Sequence, residues 1–290
     1  MLTEGVVEGF AVETVEGWIL TVKGLLHPRD RWTAYLRYLP DPSGDRERAG
    51  VAYRRVYRFQ EQVELLRAHH PEYLYHDPAL GLEVQSVPRS RVAAIHDPCA
   101  FLSRLRDSQP IDAVQADALA LAGDLVREAR VPAASLGLSG SVMLGLHRAG
   151  SDLDLVVYGR ESCKAVHRAL GEGMAAGGAL CPPDEEQLRE LHAAHSPDTP
   201  LSFEDFARLQ RRKVNEGRYR GRALFLRFVQ HPAEFGETYG QRRTESAGRA
   251  TVRATVCDDT EAIYTPCRYG VRQVTVVQGV SDTLDGTMMS

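Results

Sequence analysis

Residues 150–154 of this 290-residue chain read Gly-Ser-Asp-Leu-Asp, followed by Leu155, Val156, Val157 and Tyr158. The apolar run predicts a strand over Leu153–Tyr158. Side chains at i and i+2 of a strand share a face, about 6–7 Å apart. Asp152 and Asp154 therefore converge, while Leu153 and Leu155 point the other way. Two close carboxylates repel unless something positive lies between them. Hard oxygen donors of this kind suit Mg²⁺ or Mn²⁺. A turn-capping role accounts for Asp152 in Gly-Ser-Asp. It does not account for Asp154, because an acid inside an apolar strand is costly without a partner.

Upstream lies Leu136-Gly-Leu-Ser-Gly-Ser-Val-Met-Leu-Gly145. It predicts a short strand, Ser135–Leu138, a Gly-Ser turn, and a helix running to His147. Gly140 has no Cβ, so backbone there can approach a ligand closely. Ser141 offers a hydroxyl at the start of the helix, where free N–H groups favour phosphate. A phosphate cradle beside a metal-binding acid pair is the minimum kit for phosphoryl or nucleotidyl transfer. Other motifs fail on particular letters. A Walker A loop needs Lys-Ser/Thr after its second Gly, but Leu146-His147 follow Gly145. A nucleophile elbow needs Gly-x-Ser-x-Gly, but Ser141 stands at the last Gly.

The pattern Gly140-Ser141-x-x-x-Gly145 followed by Ser151-Asp152-x-Asp154-apolar-apolar resembles the DNA polymerase β-like nucleotidyltransferase superfamily. The motif covers about 20 residues, within a domain of roughly 110–232. The chain as a whole, with its β-rich start and Thr265-Pro-Cys-Arg-Tyr269, looks like a group of predicted prokaryotic nucleotidyltransferases best known in archaea. The resemblance implies an α+β fold with a nucleotidyltransferase-type mixed β-sheet and flanking helices. It implies transfer of a nucleoside monophosphate from an NTP to an acceptor, which the residues leave open as RNA, protein or a small molecule. It also implies two divalent metals, Mg²⁺ or Mn²⁺, held by Asp152 and Asp154, with Gly140 and Ser141 on the triphosphate.

The superfamily usually carries a third carboxylate on a neighbouring strand. The next predicted strand, Gly221–Val229, contains no acid. Asp258 and Asp259 end a β-patterned run, Thr251–Cys257, that could align beside Leu153–Tyr158. Glu234 is a further candidate, and a plain turn also explains the Asp258-Asp259 pair. The gap keeps an alternative in view, a catalytically decayed nucleotide- or RNA-binding protein on the same scaffold.

Several other residues have both a chemical and a structural reading. Arg211-Arg212-Lys213 with Arg218, Arg220 and Arg222 could grip a triphosphate, with Lys213 as the candidate contact, or form a solvated helix face. His192 and His195 could ligate a metal from one helix face, but no Glu-x-x-His spacing accompanies them, which favours surface histidines. His147 either reaches the site or is an ordinary helix-end residue. Trp18, Trp32, Tyr35 and Tyr38 could stack bases, although aromatics in short strands usually build core.

Three units must position these groups. Residues 1–108 form a β-rich accessory domain, with strands at Phe10–Thr14, Trp18–Lys23, Trp32–Leu39 and Val51–Phe59 and a helix at Gln60–His69. Residues 109–232 are the span that the resemblance implies as a nucleotidyltransferase domain, starting with a predicted helix over Ile111–Arg130. Residues 233–290 form a small β unit with strands Thr251–Val256, Ala262–Thr265 and Val271–Val277 and a polar tail, Ser281–Ser290. His-Asp-Pro occurs at 76–78 and 96–98, where Asp-Pro is expected to start turns or short helices.

Composition narrows the class. Hydrophobic residues are 43% and charged residues 26%, which excludes a wholly disordered chain. The net charge of −4 and pI of about 6.2 argue against a protein that binds polyanions over its whole surface. Of the 35 basic residues, 32 are arginine, and base-composition bias of the genome is the plainer cause. The five cysteines include no Cys-x-x-Cys, which argues against a zinc ribbon or a secreted disulfide framework. No run reaches the ~18 apolar residues of a membrane span. The start of the chain lacks a signal-peptide pattern. A cytoplasmic protein with no membrane partner is the expectation.

Overall fold

The computed structural model describes residues 5–108, 112–195, 201–246, 248–279 and 287–289. The predicted tail, 281–290, lies outside them except for the backbone of 287–289. Strands β1 (Ala11–Thr14), β2 (Ile19–Val22), β3 (Arg31–Pro40), β4 (Arg46–Arg48) and β5 (Val51–Arg55) come first. Helix α1 (Phe59–His69) follows, then β6 (Leu74–Asp77), β7 (Leu82–Pro88) and β8 (Val92–His96). The middle of the chain forms α2 (Pro98–Arg106), α3 (Ala113–Ala129), β9 (Leu136–Leu138), α4 (Gly140–Met143), β10 (Leu153–Tyr158), α5 (Arg160–Ala176) and β11 (Leu180–Cys181). Then come α6 (Glu185–His195), α7 (Phe203–Gln210), β12 (Glu216–Tyr219), β13 (Arg222–Val229) and α8 (Pro232–Phe235). Strands β14 (Ala250–Glu261), β15 (Arg268–Gly279) and β16 (Thr287–Met289) end it. The fold is mixed α+β.

Backbone contacts divide the chain into two compact units: Met1–Asp45 with Val51–Ile95 and Phe228–Ser290, and Arg46–Gly50 with His96–Arg227. In the first unit β5, β3, β2, β1 and β8 lie side by side in that order, with β7 against β3 and β6 against β7. Strand β3 shows why. Trp32, Ala34, Leu36 and Tyr38 are buried, while Arg31, Thr33, Tyr35 and Arg37 are partly exposed, the period-2 pattern of a sheet with one covered face. Trp18, Leu20, Val22, Trp32, Leu36 and Leu66 share one core. Of the four aromatics read as possible base-stackers, Trp18, Trp32 and Tyr38 are therefore core, and Tyr35 alone keeps partial exposure.

The segment after Phe228 is fastened to the same unit. Tyr239 Oη donates to Asp77 Oδ1 at 2.8 Å, and Thr244 N–H donates to the Ala79 carbonyl at 2.8 Å. Both Asp-Pro sites start local structure as expected. The Asp77 carboxylate accepts from the Ala79 and Leu80 amides, and Asp97 caps α2 through the Cys99 and Ala100 amides.

Strands β14 and β15 form a long antiparallel hairpin, with β16 on β15. The expected strand Ala262–Thr265 is instead the connection between them. Its amides are used in tight turns, Ala262 N–H to the Asp259 carbonyl and Tyr264 N–H to the Glu261 carbonyl. An apolar triplet read as β-forming is here a turn that buries Tyr264.

In the second unit the sheet order is β11-β12-β13-β10-β9, with β10 antiparallel to β9. Helices α3 and α5 pack on each other and on β10, and α2 packs on β9. Gly137 makes the last contact possible, because a Cβ there would sit 2.6 Å from Pro98 Cβ and 2.9 Å from the Cys99 amide nitrogen. Among the described residues no helix is long and apolar enough to cross a membrane.

Candidate functional site

The Gly140 turn and the start of β10 are joined through backbone. Ser139 N–H donates to the Asp154 carbonyl at 2.7 Å, and its Oγ donates to the same oxygen at 3.2 Å. This continues the β9–β10 ladder, in which Leu138 faces Leu155. Gly140 then turns with φ +64°, where an L side chain is strained. A Cβ at Gly140 would collide with the Asp154 carboxylate. The missing side chain of one motif residue is thus the space filled by the acid of the other.

Helix α4 is a single turn that ends at Met143, shorter than the helix to His147 expected from the sequence. The reason is a Schellman stop. Gly145 adopts φ +67°, its N–H donates to the Val142 carbonyl, and Leu146 N–H donates to the Ser141 carbonyl at 2.9 Å. Leu146 is buried behind this stop. His147 lies beyond the helix, where its Nε2 meets Asp112 Oδ2 at 2.7 Å. Asp112 is the N-cap of α3. Burial pushes its carboxyl up, but the hydrogen bond from His147 and the Gln115 amide outweigh this and hold it below the usual carboxylate range.

Strand β10 spans the expected Leu153–Tyr158, and Asp152 lies in the backbone entering it. Within the strand, alternation places Asp154 on the face opposite Leu153, Leu155 and Val157. Both acids are half-buried. Ser141 is almost fully buried.

Two arginines remote in sequence hold the connection between the glycine turn and the acids. Arg46 Nη1 donates to the Leu146 carbonyl at 3.1 Å and approaches Ser151 Oγ at 3.5 Å. Arg222 Nη1 donates to the Ala149 carbonyl at 2.5 Å and the Ser151 carbonyl at 3.1 Å, while its Nε lies 3.3 Å from Asp117 Oδ2. The turn itself closes through Arg148 N–H to Ser151 Oγ at 2.9 Å. The sequence reading missed the Arg46 role and set Arg222 among the candidate phosphate ligands. No local signal links Arg46 to a loop a hundred positions away.

Much of the basic run is already paired. Arg211 bridges Glu185 at 2.9 Å, Arg218 pairs with Asp184, and Arg220 with Arg222 meets Asp117. Lys213 is exposed in the turn after α7. His192 Nε2 lies 2.9 Å from the Leu201 carbonyl, and its ring packs on Phe203 and Phe206. That is a structural setting. The side chain of His195 lies outside the described residues.

The expected alignment of the Asp258-Asp259 strand beside β10 is corrected. The strands beside β10 are β13 and β9, whereas β14 pairs with β15 in another sheet. Thr251–Cys257 does not align beside Leu153–Tyr158, because both edges of β10 are taken, by β9 and β13. Asp258 Oδ1 instead accepts from Thr260 N–H at 3.0 Å and Oγ1 at 2.8 Å. Among the described residues no group of three or more His, Cys, Asp or Glu side chains is placed to hold a metal ion.

The chain is 26% identical over 268 residues to the uncharacterized protein MJ1086 of Methanocaldococcus jannaschii, covering 90% of this chain and 78% of that one. No protein-family model matches the chain, and no solved structure does.

Proposed function

We propose that the Gly140–Asp154 region is the active site of a metal-dependent nucleotidyltransferase that moves an NMP group from an NTP to an acceptor. The observation that carries this reading is the direct contact of the Gly140 turn with the Asp154 carboxylate. A backbone stripped of its side chain lies against an acid, so a phosphate approaching the glycine would reach a cation held by that acid. Asp152 and Asp154 are hard oxygen donors that fit Mg²⁺ or Mn²⁺. Bound there, the ion would neutralise phosphate charge and polarise the phosphoryl group. Gly140 makes room for the Asp154 carboxylate against the turn that would meet the triphosphate, Ser141 shapes the turn, and Arg46 with Arg222 fixes the Leu146–Ser151 connection so that glycine and acids keep their spacing. Lys213 remains the candidate for an outlying triphosphate contact.

A second reading is favoured by one observation. Strand β13, beside β10, has no acid, and a two-metal site normally shares carboxylates between ions about 3.5–4 Å apart. A decayed scaffold would bind nucleotide without transferring it. Titration calorimetry with each NTP, with and without Mg²⁺ or Mn²⁺, combined with transfer of α-labelled NTP into a cell extract, separates the two. Binding with labelled product supports the enzyme. Binding without product supports the second reading. No NTP binding under any condition overturns both.

A further inference from the structure

The first unit carries an aromatic and guanidinium surface that plays no part in the Gly140 site. Residues 51–59 read Val-Ala-Tyr-Arg-Arg-Val-Tyr-Arg-Phe, with three arginines and no acid. In the structure Val56 turns into the core at 0% exposure, while Tyr57 is 63% and Phe59 52% exposed. Val56 N–H donates to the Arg37 carbonyl at 2.9 Å, which fixes this segment alongside β3. The Arg55 guanidinium lies 4.5 Å and the Arg37 guanidinium 5.1 Å from the Tyr57 ring centroid. The Phe59 ring rests 5.6 Å from that of Tyr35. Arg58, between the two exposed rings, is itself exposed. Arg54 takes no part, since it is committed to Asp41 and Glu61.

Two large rings more than half open to water are not needed for a core. Guanidinium planes held against a ring extend the flat, weakly hydrated surface and make it positive. Stacking surface and positive charge together match an unpaired nucleobase with its phosphate. Bases locked in a duplex present no open face to such a ring. In a chain of net charge −4, Arg55 and Arg58 give this face the sign that a polyanion needs.

We propose that the Tyr57–Phe59 face binds single-stranded nucleic acid, stacking unpaired bases on Tyr57 and Phe59 and contacting phosphate through Arg55 and Arg58. The proposal stands apart from nucleotidyl transfer, because it concerns other residues and requires neither NTP nor metal.

The test is fluorescence anisotropy on the full chain, without NTP or divalent cations. The probes are fluorescein-labelled oligoribonucleotides and oligodeoxyribonucleotides of about ten nucleotides, a usual site size for single strands, and a duplex of the same length. The wild type is expected to bind single strands more tightly than the duplex, and the RNA and DNA arms identify the natural class. Tyr57→Ala and Phe59→Ala are each expected to weaken binding roughly 5- to 100-fold, the usual effect of losing one stacked base. Leu82→Ala, a change at another exposed apolar residue, is expected to leave it unchanged. Arg58→Gln is expected to reduce the slope of log affinity against log salt by about 0.7, one phosphate contact on a single strand. Thermal melts show whether the variants remain folded, and the Arg58→Gln slope gives a reading independent of the aromatic changes. No single-strand binding at low salt overturns the proposal. So does equal affinity for duplex, or folded aromatic variants that bind like the wild type.

Discussion

Gly140 and Asp154 occupy each other's space. The glycine adopts φ +64°, the acid fills the volume a Cβ would need, and the backbone bond from Ser139 to the Asp154 carbonyl holds both in place at 2.7 Å. Each half of the sequence motif has its geometry only because the other half is beside it.

Gly140→Ala should therefore cost more than its backbone strain. Placing an L side chain in the left-handed region costs about 1–2 kcal/mol, and displacing the carboxylate adds to that. In an Asp154→Gly background the penalty should fall back towards the strain alone. Urea denaturation of the two single variants and the double variant measures the coupling. Strict additivity would show that the Gly140–Asp154 contact carries no energy.

Asp152→Asn and Asp154→Asn are expected to abolish NMP transfer without unfolding the chain. If these acids hold a cation, saturating Mn²⁺ should stabilise the wild type, by about 2.7 kcal/mol at a hundred times its Kd. Melting curves with and without Mn²⁺ should show this rise in the wild type and its loss in both variants. An undiminished rise in the double variant would place the cation elsewhere.

Arg222→Ala should destabilise the second unit by about 1–3 kcal/mol, since it strips a donor from the Ala149 and Ser151 carbonyls and the partner from Asp117. Arg222→Lys should recover only part of that loss. An ammonium is a point charge and cannot serve two carbonyls and a carboxylate in the geometry of the guanidinium fork. Denaturant midpoints of the three proteins decide it, and equal midpoints for Arg222→Lys and wild type would dismiss the fork argument.

His27 makes stability depend on pH. Burial lowers its pKa to about 4, with the charge of Arg89 acting in the same direction. Its Nδ1 accepts from Thr33 N–H at 3.2 Å. The unfolded chain takes up a proton near pH 6.5 while the folded chain resists it. The neutral ring's contribution is thus complete above about pH 6.5 and is lost as pH falls to about 4. At 1.36 kcal/mol per pKa unit the loss is about 3 kcal/mol. His27→Gln should flatten stability over that window. An unchanged slope would assign the pH dependence to other groups.

The sequence by itself determined the local pieces of this protein. Aromatic and β-branched residues marked β3, the apolar run marked β10, and the motif Gly140-Ser141…Asp152-x-Asp154 was legible because all its parts lie within a few turns of chain. Local chemistry also explains Asp77 and Asp97, whose carboxylates serve amides two and three residues on. What only the tertiary structure decided depends on partners far apart in the chain. Arg46 reaches the loop at Leu146. Asp258 belongs to a hairpin and does not lie on a strand beside β10. Trp32 is buried while Tyr57 is exposed. A strand's composition specifies that it will pair and which face is apolar, but not its neighbour. Backbone hydrogen bonds are alike along every strand, and the choice among partners rests on packing and loop closure over the whole chain.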